Sequence, residues 1–424
     1  MVSNFRFLSF TMALFTFASC SQKQDVTLTV IDPGHFHANL LQKHDMDGVS
    51  HVVNVYAPQG EELDGYLKTI ESYNSREVDP TSWKENVYTG DDYLEKLPEA
   101  GKYEAVMLSG NNRKKTSYIA CAVCKGYNVL SDKPLSINKK QWALLRDVYK
   151  KADEKGLVIL DLMTERYDTL NIIVKNLLSD KDLFGEFDCS RGPAVSMTSV
   201  HHFYKEVSRV ALHRPAWYYD VTQQGEGIAD VTTHLIDLVF WQCFPGVAVG
   251  LDDVKVNGAS HFPTRISLAQ FKSSTGASSF PSYLDKVRSG DYIDVFSNGS
   301  IDFTVKGIPV QMNVTWNWMP QEGSSDTFEA IYKGTKATVI VRQDLSTGFV
   351  KQVFVKSCEG RESMIEVPME CRIGHEDHFN LVAGQFMEYV RGRQRVPEWE
   401  IQNTITKYYI TTAAVEMASK QGSL

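Results

Sequence analysis

The sequence predicts an α/β protein in which a doubly wound Rossmann parallel sheet is followed by a second α/β domain with an open, mainly antiparallel sheet. In the first half, β-branched runs alternate with helix-like segments, which is the pattern of βαβ units. In the second half, short alternating runs broken by Gly, Ser and Asn succeed one another, which is typical of antiparallel pairing. We place the Rossmann nucleotide-binding domain at 26–165 and a C-terminal substrate and oligomerisation domain at 166–424.

The first half is expected to contain five strands connected by helices. The strands are expected at residues 26–31, 52–56, 103–108, 127–130 and 157–162. The helices are expected at residues 35–42, 61–73, 116–125 and 138–155. Parallel strands joined in this way end at one edge of the sheet, and ligands of such folds bind outside that edge. The loops that follow the strands therefore form the expected site.

The second half changes character after residue 166. Alternating runs at 195–203, 300–305, 310–316 and 328–332 predict strands of the antiparallel sheet. The last segment, 378–420, has a helical pattern with one break at Pro397. We expect these strands to form a single open sheet that makes one wall of a cleft beside the Rossmann domain.

The N-terminus has the pattern of an export signal. Arg6 precedes an apolar run at 7–17, and small residues lead directly to Cys20. The run is shorter than the ~20 residues that a spanning helix needs. The cysteine resembles that of a bacterial lipobox, which implies a signal peptide at 1–19, a lipidated tether at 20–25, and an exported, lipid-anchored protein. The alternative is an ordinary signal peptide with a chance cysteine.

The bulk composition excludes some classes of function. A formal net charge of −8 without a basic block argues against nucleic-acid binding. Six cysteines follow Cys20, too few for a disulfide scaffold in a chain of this length. Cys121 and Cys124 have the spacing of a redox pair, but their segment has the pattern of a buried helix, and cysteine packs well as a small apolar residue.

The loop after the first strand keeps little of the glycine-rich dinucleotide fingerprint. Of the fingerprint's glycines, the window 32–37 contains only Gly34, the one that lets the backbone approach a pyrophosphate. The second strand ends at Ala57, where an acid would bind the adenosine ribose. The choice between NAD and NADP, and cofactor binding itself, therefore stay open. His35 and His37 either approach the phosphates or face solvent at a helix start.

Two later stretches carry chemistry. The first is an Asp132-Lys133-Pro134 turn at the end of a strand. The second is a predicted helix in which Asp230 and His234 are four residues apart and therefore share one face. A carboxylate beside an imidazole raises its pKa and fixes its tautomer, which suits a general base near neutral pH. The alternative is an amphipathic helix with an incidental pair.

These stretches resemble motifs of the Gfo/Idh/MocA family of oxidoreductases, over residues 26–240. The resemblance implies an NAD(P)-dependent enzyme that oxidises a hydroxyl of a sugar or glycoside, with a tightly held NAD or NADP. It implies Lys133, His234 and Asp230 as the catalytic residues. The cofactor-binding positions that it implies, together with the loop above, are Gly34, His35, Phe36, His37, Asn112, Asp132, Pro134 and Arg166.

Aromatic and charged residues between the motifs suggest the substrate. Rings that stack on sugar faces, with polar partners among them, are typical of carbohydrate sites. The substrate-binding candidates are Lys205, Arg214, Trp217 and Asp237. A homo-oligomer is expected, with membrane contact only through the lipid on Cys20. No metal is expected, because the adjacent His201 and His202 face opposite sides of a strand, and His375 and His378 lack a third ligand.

Two other functions stay open. Transient oxidation of a sugar acidifies the neighbouring C–H bond, and some members of the family use this to hydrolyse glycosides with NAD. The other hypothesis is a non-catalytic sugar-binding lipoprotein on a decayed dehydrogenase fold. The missing glycines of the fingerprint and Ala57 favour it.

Overall fold

The computed structural model describes residues 25–207, 210–211, 213–368, 371–372 and 374–421. The predicted signal peptide at 1–19 and the tether, apart from Asp25, lie outside these described residues. Among the described residues, no helix is long and apolar enough to cross a membrane.

Six parallel strands form the N-terminal sheet. They are β1 (Val26–Ile31), β2 (Val49–Tyr56), β3 (Lys84–Tyr88), β4 (Glu104–Leu108), β5 (Asn128–Ser131) and β6 (Ile159–Asp161). Their order, β3-β2-β1-β4-β5-β6, is that of a Rossmann sheet, so the predicted fold class is confirmed. The strand β3 was not expected from the sequence, because its mostly exposed and polar edge position leaves no hydrophobic pattern.

The crossover helices are α1 (His37–Leu40), α2 (Glu61–Ser75), α3 (Asn112–Cys124) and α4 (Lys139–Lys155). The helix α1 is half the length expected from the pattern at 35–42. The ends of α4 follow local rules: the Asn138 side chain accepts a hydrogen bond from the backbone N–H of Gln141, and Gly156 closes the helix with a left-handed φ of 66°.

The second sheet is open and mainly antiparallel. Its strands are β7 (Val195–His202), β10 (Val254–Ser267), β11 (Arg288–Ser289), β12 (Tyr292–Val305), β13 (Ile308–Asn317), β14 (Thr327–Lys333), β15 (Ala337–Gln343), β16 (Gln352–Ser357) and β17 (Glu362–Ile365), while β8 (Glu206–Val207) and β9 (Val210–Ala211) pair separately. Within the described part of this sheet, β7 and β13 run parallel and the other neighbours antiparallel. The single-sheet expectation for 195–355 is therefore confirmed, apart from the β8–β9 pair.

The helices of the second half are α5 (Thr169–Ser179), α6 (Val221–Gln224), α7 (Gly227–Cys243), α8 (Leu268–Thr275), α9 (His375–Val390) and α10 (Glu398–Gln421). The helix α7 lies on the second sheet and shares its core through Ile236 and Phe240. Its first residue must be small: a Cβ on Gly227 would come within 1.8 Å of the Ser297 carbonyl oxygen. This close approach sets the position of α7, which carries the candidate catalytic pair.

The C-terminal helices connect the two halves. Phe379 and Phe386 of α9 belong to the same core as Leu28 and Val53 of the Rossmann sheet. The helix α10 packs against α4, α7 and β10. The edge of the first sheet and the α7 face of the second are therefore held together by shared packing.

Candidate functional site

The candidate site lies where the carboxyl ends of the parallel strands face α7. Lys133 follows β5 in a turn with a cis Lys133–Pro134 peptide bond. Its ammonium Nζ donates to Asp230 Oδ1 at 2.6 Å, across the boundary between the two halves. The second oxygen of Asp230 accepts from Gln224 Nε2 at 3.2 Å. Lys133 and Asp230, predicted separately from two motifs, thus form one ion pair.

Electrostatics make this pair ionic and the nearby imidazole neutral. Burial opposes ionisation of Asp230, but the Lys133 ammonium outweighs burial and lowers the pKa of this carboxyl. Burial and then the same ammonium lower the pKa of His234 to about 3. At neutral pH, His234 is therefore an uncharged imidazole one helical turn from a carboxylate–ammonium pair.

The structure changes the expected relation between Asp230 and His234. Both lie on α7 as the spacing predicts, but the described hydrogen bonds of Asp230 run to Lys133 and Gln224. The buried Nδ1 of His234 has no hydrogen-bond partner among the described residues. The expectation that Asp230 fixes the tautomer of His234 by a hydrogen bond is wrong, because the described hydrogen bonds of this carboxylate run to Lys133 and Gln224. The charge of Asp230 does raise the pKa of His234 as expected, but burial and the Lys133 ammonium outweigh it.

A cavity of about 240 Å³ lies beside His234. Its apolar lining includes Val231, Leu235, Leu238 and Phe328, and its polar lining includes Glu165, Ser199, His201, His234, Asp326, Thr327, Gln343 and Lys351. The volume is below the ~300–1,000 Å³ of sites for drug-sized ligands, so it suits a single small polar molecule.

Asp326 collects several groups at the rim of this cavity. It accepts from His202 Nδ1 at 2.8 Å and from the ammonium of Lys205, and its Oδ2 lies 3.4 Å from His201 Nδ1. The ring of His201 stacks on Trp316 at a centroid distance of 4.9 Å. Lys205, predicted to bind substrate, thus belongs to this rim through Asp326.

Sequence reasoning missed the acids and one lysine of the cavity. Asp326 lies in a polar loop that carries no motif. Lys351 directly precedes β16 and is far in sequence from the other residues that line the cavity. Lys351 pairs with Glu165 at 3.2 Å and lowers the pKa of that carboxyl to about 2. The sequence signal that would have indicated these groups is Glu165, an ionisable residue directly before the predicted Arg166 and close to the end of a strand.

Two predicted site residues support the structure instead of facing the cavity. Arg166 pairs with Asp237 at 2.6 Å and with Glu400 at 2.7 Å. Asp237 also pairs with the fully buried Lys407 at 2.9 Å. The positions assigned to cofactor and substrate by motif therefore form a buried network at the junction of β6, α7 and α10.

Two further substrate candidates have structural partners. Arg214 is buried, donates to the Phe203 carbonyl at 2.6 Å and stacks on Tyr218 at 4.4 Å. Trp217 donates its indole N–H to Glu62 of α2. Arg214 therefore braces the aromatic wall formed by Tyr218 and Trp316. Trp217 connects the two halves across the mouth of the cleft.

The β1–α1 loop does not present its amides to an open site. The N–H groups of Gly34 and His35 donate to the Ser109 carbonyl at 2.9 and 3.2 Å. A Cβ on Gly110, the residue after Ser109, would come within 2.4 Å of a backbone oxygen of Asp32. The glycine loop is therefore closed against the loop that follows β4.

Two histidines and one acid gather at the end of this loop. The Nδ1 atoms of His35 and His37 lie 3.3 and 3.4 Å from Oδ2 of Asp132. Ser109 Oγ donates to the same oxygen at 2.9 Å, while the Lys115 ammonium donates to Oδ1. Burial, and next the adjacent His35, lower the pKa of His37 to about 3. Phe36, between the histidines, is exposed.

The residues here do not fit a dinucleotide in the usual manner. The amides that would face a pyrophosphate are used by Ser109, and the carboxylate of Glu62 lies 3.4 Å from the position of a Cβ on Gly34. The Asn112 side chain donates to the Gln224 carbonyl at 2.7 Å. At the end of β2, the buried Ala57 offers no acid to a ribose. A pyrophosphate bound beside Gly34 would face the carboxylate of Glu62 at a place where it needs hydrogen-bond donors.

Comparison with known proteins gives a family for the second half. The sequence matches the family described as “Putative oxidoreductase C terminal domain” over residues 173–364 and 359–419, together more than half of the chain. No curated protein matches the sequence.

Several solved structures are similar to this one. A “putative oxidoreductase” from Parabacteroides merdae is 37% identical, with a TM-score of 0.91 over 94% of this chain and 98% of its own. A “putative nadph-dependent oxidoreductase” from Desulfitobacterium hafniense is 13% identical, with a TM-score of 0.61 over 94% and 96%. A 3-ketoreductase from Actinomadura kijaniata, in complex with NADP and TDP-benzene, is 13% identical, with a TM-score of 0.58 over 93% and 98%.

Proposed function

Because the chain belongs to the family described as “Putative oxidoreductase C terminal domain”, we propose that it acts on a hydroxyl-bearing carbon of a sugar or glycoside. In this fold, which resembles that of the Gfo/Idh/MocA family, Lys133 after β5 contacts Asp230 of α7. The observation that carries the proposal is the 2.6 Å ion pair of Lys133 and Asp230, one helical turn from His234, whose buried Nδ1 has no hydrogen-bond partner among the described residues.

The three side chains have separate tasks in this proposal. The Lys133 ammonium has three N–H donors, so it binds a substrate oxygen while it keeps its bond to Asp230. It stabilises negative charge that develops on that oxygen. His234 is neutral and accepts the hydroxyl proton at a ring nitrogen. Asp230 holds the ammonium in place through its hydrogen bond.

The carbohydrate class is supported by the lining of the site. The aromatic wall formed by Tyr218 and Trp316 lies next to Asp230, and His201 stacks on Trp316. The rim at Asp326 adds charged and neutral hydrogen-bonding groups within a few ångströms. Flat apolar faces beside polar groups match the two kinds of surface that a sugar ring presents.

The nicotinamide cofactor implied by the family resemblance is a prediction with a direct test. We expect that NAD or NADP, if it is tightly held, is released when the purified protein is denatured, and mass spectrometry of the released small molecules identifies it. Purified protein that releases no nucleotide and gains no thermal stability from added NAD or NADP would contradict this prediction.

A second candidate function is favoured by the closed β1–α1 loop. With the Gly34 amide bonded to Ser109 and Glu62 beside Gly34, the site binds or transforms a carbohydrate without an added nucleotide. Incubation of a panel of glycosides and keto-glycosides with protein freed of any bound nucleotide, with and without added NAD or NADP, separates the two candidates. Keto-sugars formed only with nucleotide support the first candidate, and turnover or binding independent of nucleotide supports the second.

The pKa of His234 gives a prediction about pH. With a pKa of about 3 in the free protein, the imidazole is already neutral at pH 5 and stays neutral to pH 8. The kcat/KM for the best glycoside of the panel should therefore show no acid limb from His234 between pH 5 and 8. An acid limb near the usual histidine pKa of ~6.5 that is absent in His234→Gln would contradict the prediction.

The cellular location is also a proposal. The lipobox-like Cys20 after an apolar run supports export and attachment through a lipid, as a cell-envelope protein. Metabolic labelling with a fatty acid, comparing the wild type with Cys20→Ala, tests it. Equal labelling of both proteins would overturn the lipid anchor.

A further inference from the structure

The cluster at the end of the β1–α1 loop has the geometry of metal ligands. His35, His37 and Asp132 each offer one ligand atom, and these three atoms all lie within 4.8 Å of one another. The two Nδ1 nitrogens are 3.3 and 3.4 Å from Oδ2 of Asp132. Ligands bound at ~2.0–2.2 Å to a tetrahedral zinc ion lie roughly 3.3–3.5 Å apart. The spacing between each imidazole and Asp132 therefore already matches the edge of a tetrahedral site.

The two histidine nitrogens are also unsatisfied. Both Nδ1 atoms are buried, and neither makes a hydrogen bond of acceptable geometry with any described residue, although Asp132 is near. Buried polar atoms in folded proteins nearly always have a partner, so two orphaned nitrogens that approach one carboxylate oxygen need an explanation. A bound cation satisfies both lone pairs at once.

From this geometry we propose that His35, His37 and Asp132 bind a divalent first-row transition metal ion. Two imidazoles and one carboxylate leave at least one position open for water or substrate, as in catalytic rather than structural metal sites. The site occupies the loop where a dinucleotide fold places the pyrophosphate. Asp132 directly precedes Lys133 in the chain, so one ligand of the ion and the lysine of the proposed reaction are consecutive residues.

The surrounding residues act as a second layer that orients the ligands. The second oxygen of Asp132 accepts from the buried Lys115, and Ser109 donates to the ligating oxygen. Nε2 of His37 lies 3.2 Å from Nε2 of His375 on α9, so the hydrogen on Nε2 of His37 can be donated there while Nδ1 stays free for the metal. Such partners fix the tautomer and direction of a metal-binding histidine.

The test measures metal and not turnover, so its result is separate from that of the proposed reaction. The full chain, without a histidine tag, is stripped with a chelator and titrated with Zn²⁺ by calorimetry. Co²⁺ is added in parallel, and the visible absorption of tetrahedral Co²⁺ is recorded. His35→Gln and His37→Gln are compared with His44→Gln, which alters an exposed histidine that contacts Asp79. Circular dichroism confirms that each variant is folded.

We expect one equivalent of metal to bind to the wild type and to His44→Gln. Each ligand variant should bind at least ~10-fold more weakly and lose the Co²⁺ absorption, because removal of a ligand costs at least as much as removal of its outer partner. His375→Gln, which removes only the outer hydrogen bond, should lose affinity while it keeps the absorption. Wild type that binds Zn²⁺ no more tightly than folded His37→Gln overturns the proposal.

Discussion

Lys133→Ala is expected to lower kcat/KM for the best glycoside by roughly 10²–10⁴-fold, and His234→Ala by a similar factor. The first variant removes the cation at the reacting oxygen, and the second removes the group that accepts the proton. Asp230→Asn should lose less than either, since the amide still positions Lys133 although its charge is gone. Steady-state kinetics of the three variants measures these losses.

A readout that needs no substrate accompanies this prediction. Because the Lys133 ammonium lowers the pKa of His234, Lys133→Ala should raise that pKa, as NMR titration of the histidine rings would show. Lys139→Ala, which removes an exposed lysine paired with Glu416, is the matched control and should change neither quantity. Near wild-type turnover in both Lys133→Ala and His234→Ala would show that α7 only packs and that its charged pair is incidental.

Lys407→Met is expected to have the largest effect on stability, about 3–5 kcal/mol in the free energy of unfolding at pH 7. Lys407 is fully buried and pairs with Asp161 at 3.0 Å and Asp237 at 2.9 Å. Without the ammonium, the Asp161 carboxylate keeps, within the described part of the chain, only the hydrogen bond from Tyr408. Arg166 still compensates Asp237, so the cost falls mainly on Asp161. Urea unfolding of both proteins measures the difference.

The pH dependence of this loss has a definite sign. Burial already raises the pKa of Asp161, and removal of Lys407 should raise it further. A carboxyl whose pKa is higher in the folded than in the unfolded state destabilises the folded protein when it is ionised. The loss of unfolding free energy in Lys407→Met should therefore shrink as the pH falls and Asp161 takes up a proton. Asp161→Asn combined with Lys407→Met should recover part of the stability at pH 7.

The control lies on the same helix. Lys420 pairs with Glu416 at the exposed end of α10, so Lys420→Met should change the unfolding free energy by no more than ~0.5 kcal/mol. If Lys407→Met and Lys420→Met differed by less than ~1 kcal/mol, the buried network would not be what holds α10 to the Rossmann sheet.

Sequence patterns correctly predicted the order of strands and helices wherever burial leaves a local pattern. The runs that became β1 and β4 are almost wholly buried and therefore mostly apolar or β-branched, whereas the exposed edge strand β3 carries no such pattern and was missed. The pattern at 35–42 predicted a helix twice as long as α1. The helix begins later in the structure, where the N–H groups of Gly34 and His35 donate to the Ser109 carbonyl in the loop after β4, a contact that the local sequence does not show.

The candidate site divides along the same line. The sequence by itself determined that Lys133 lies in a turn after a strand and that Asp230 and His234 share a helix face, because both follow from spacing along the chain. Only the tertiary structure decided which charges meet. Lys133 pairs with the carboxylate of Asp230, which is 97 positions further along the chain. Asp132, in the turn after β5, approaches His35 and His37 at the end of the β1–α1 loop. Ion pairs and clusters of metal ligands depend on distances in space between residues that are far apart in the sequence. Each buried charge also needs a partner to offset its loss of hydration, and only folding determines which charges are buried together.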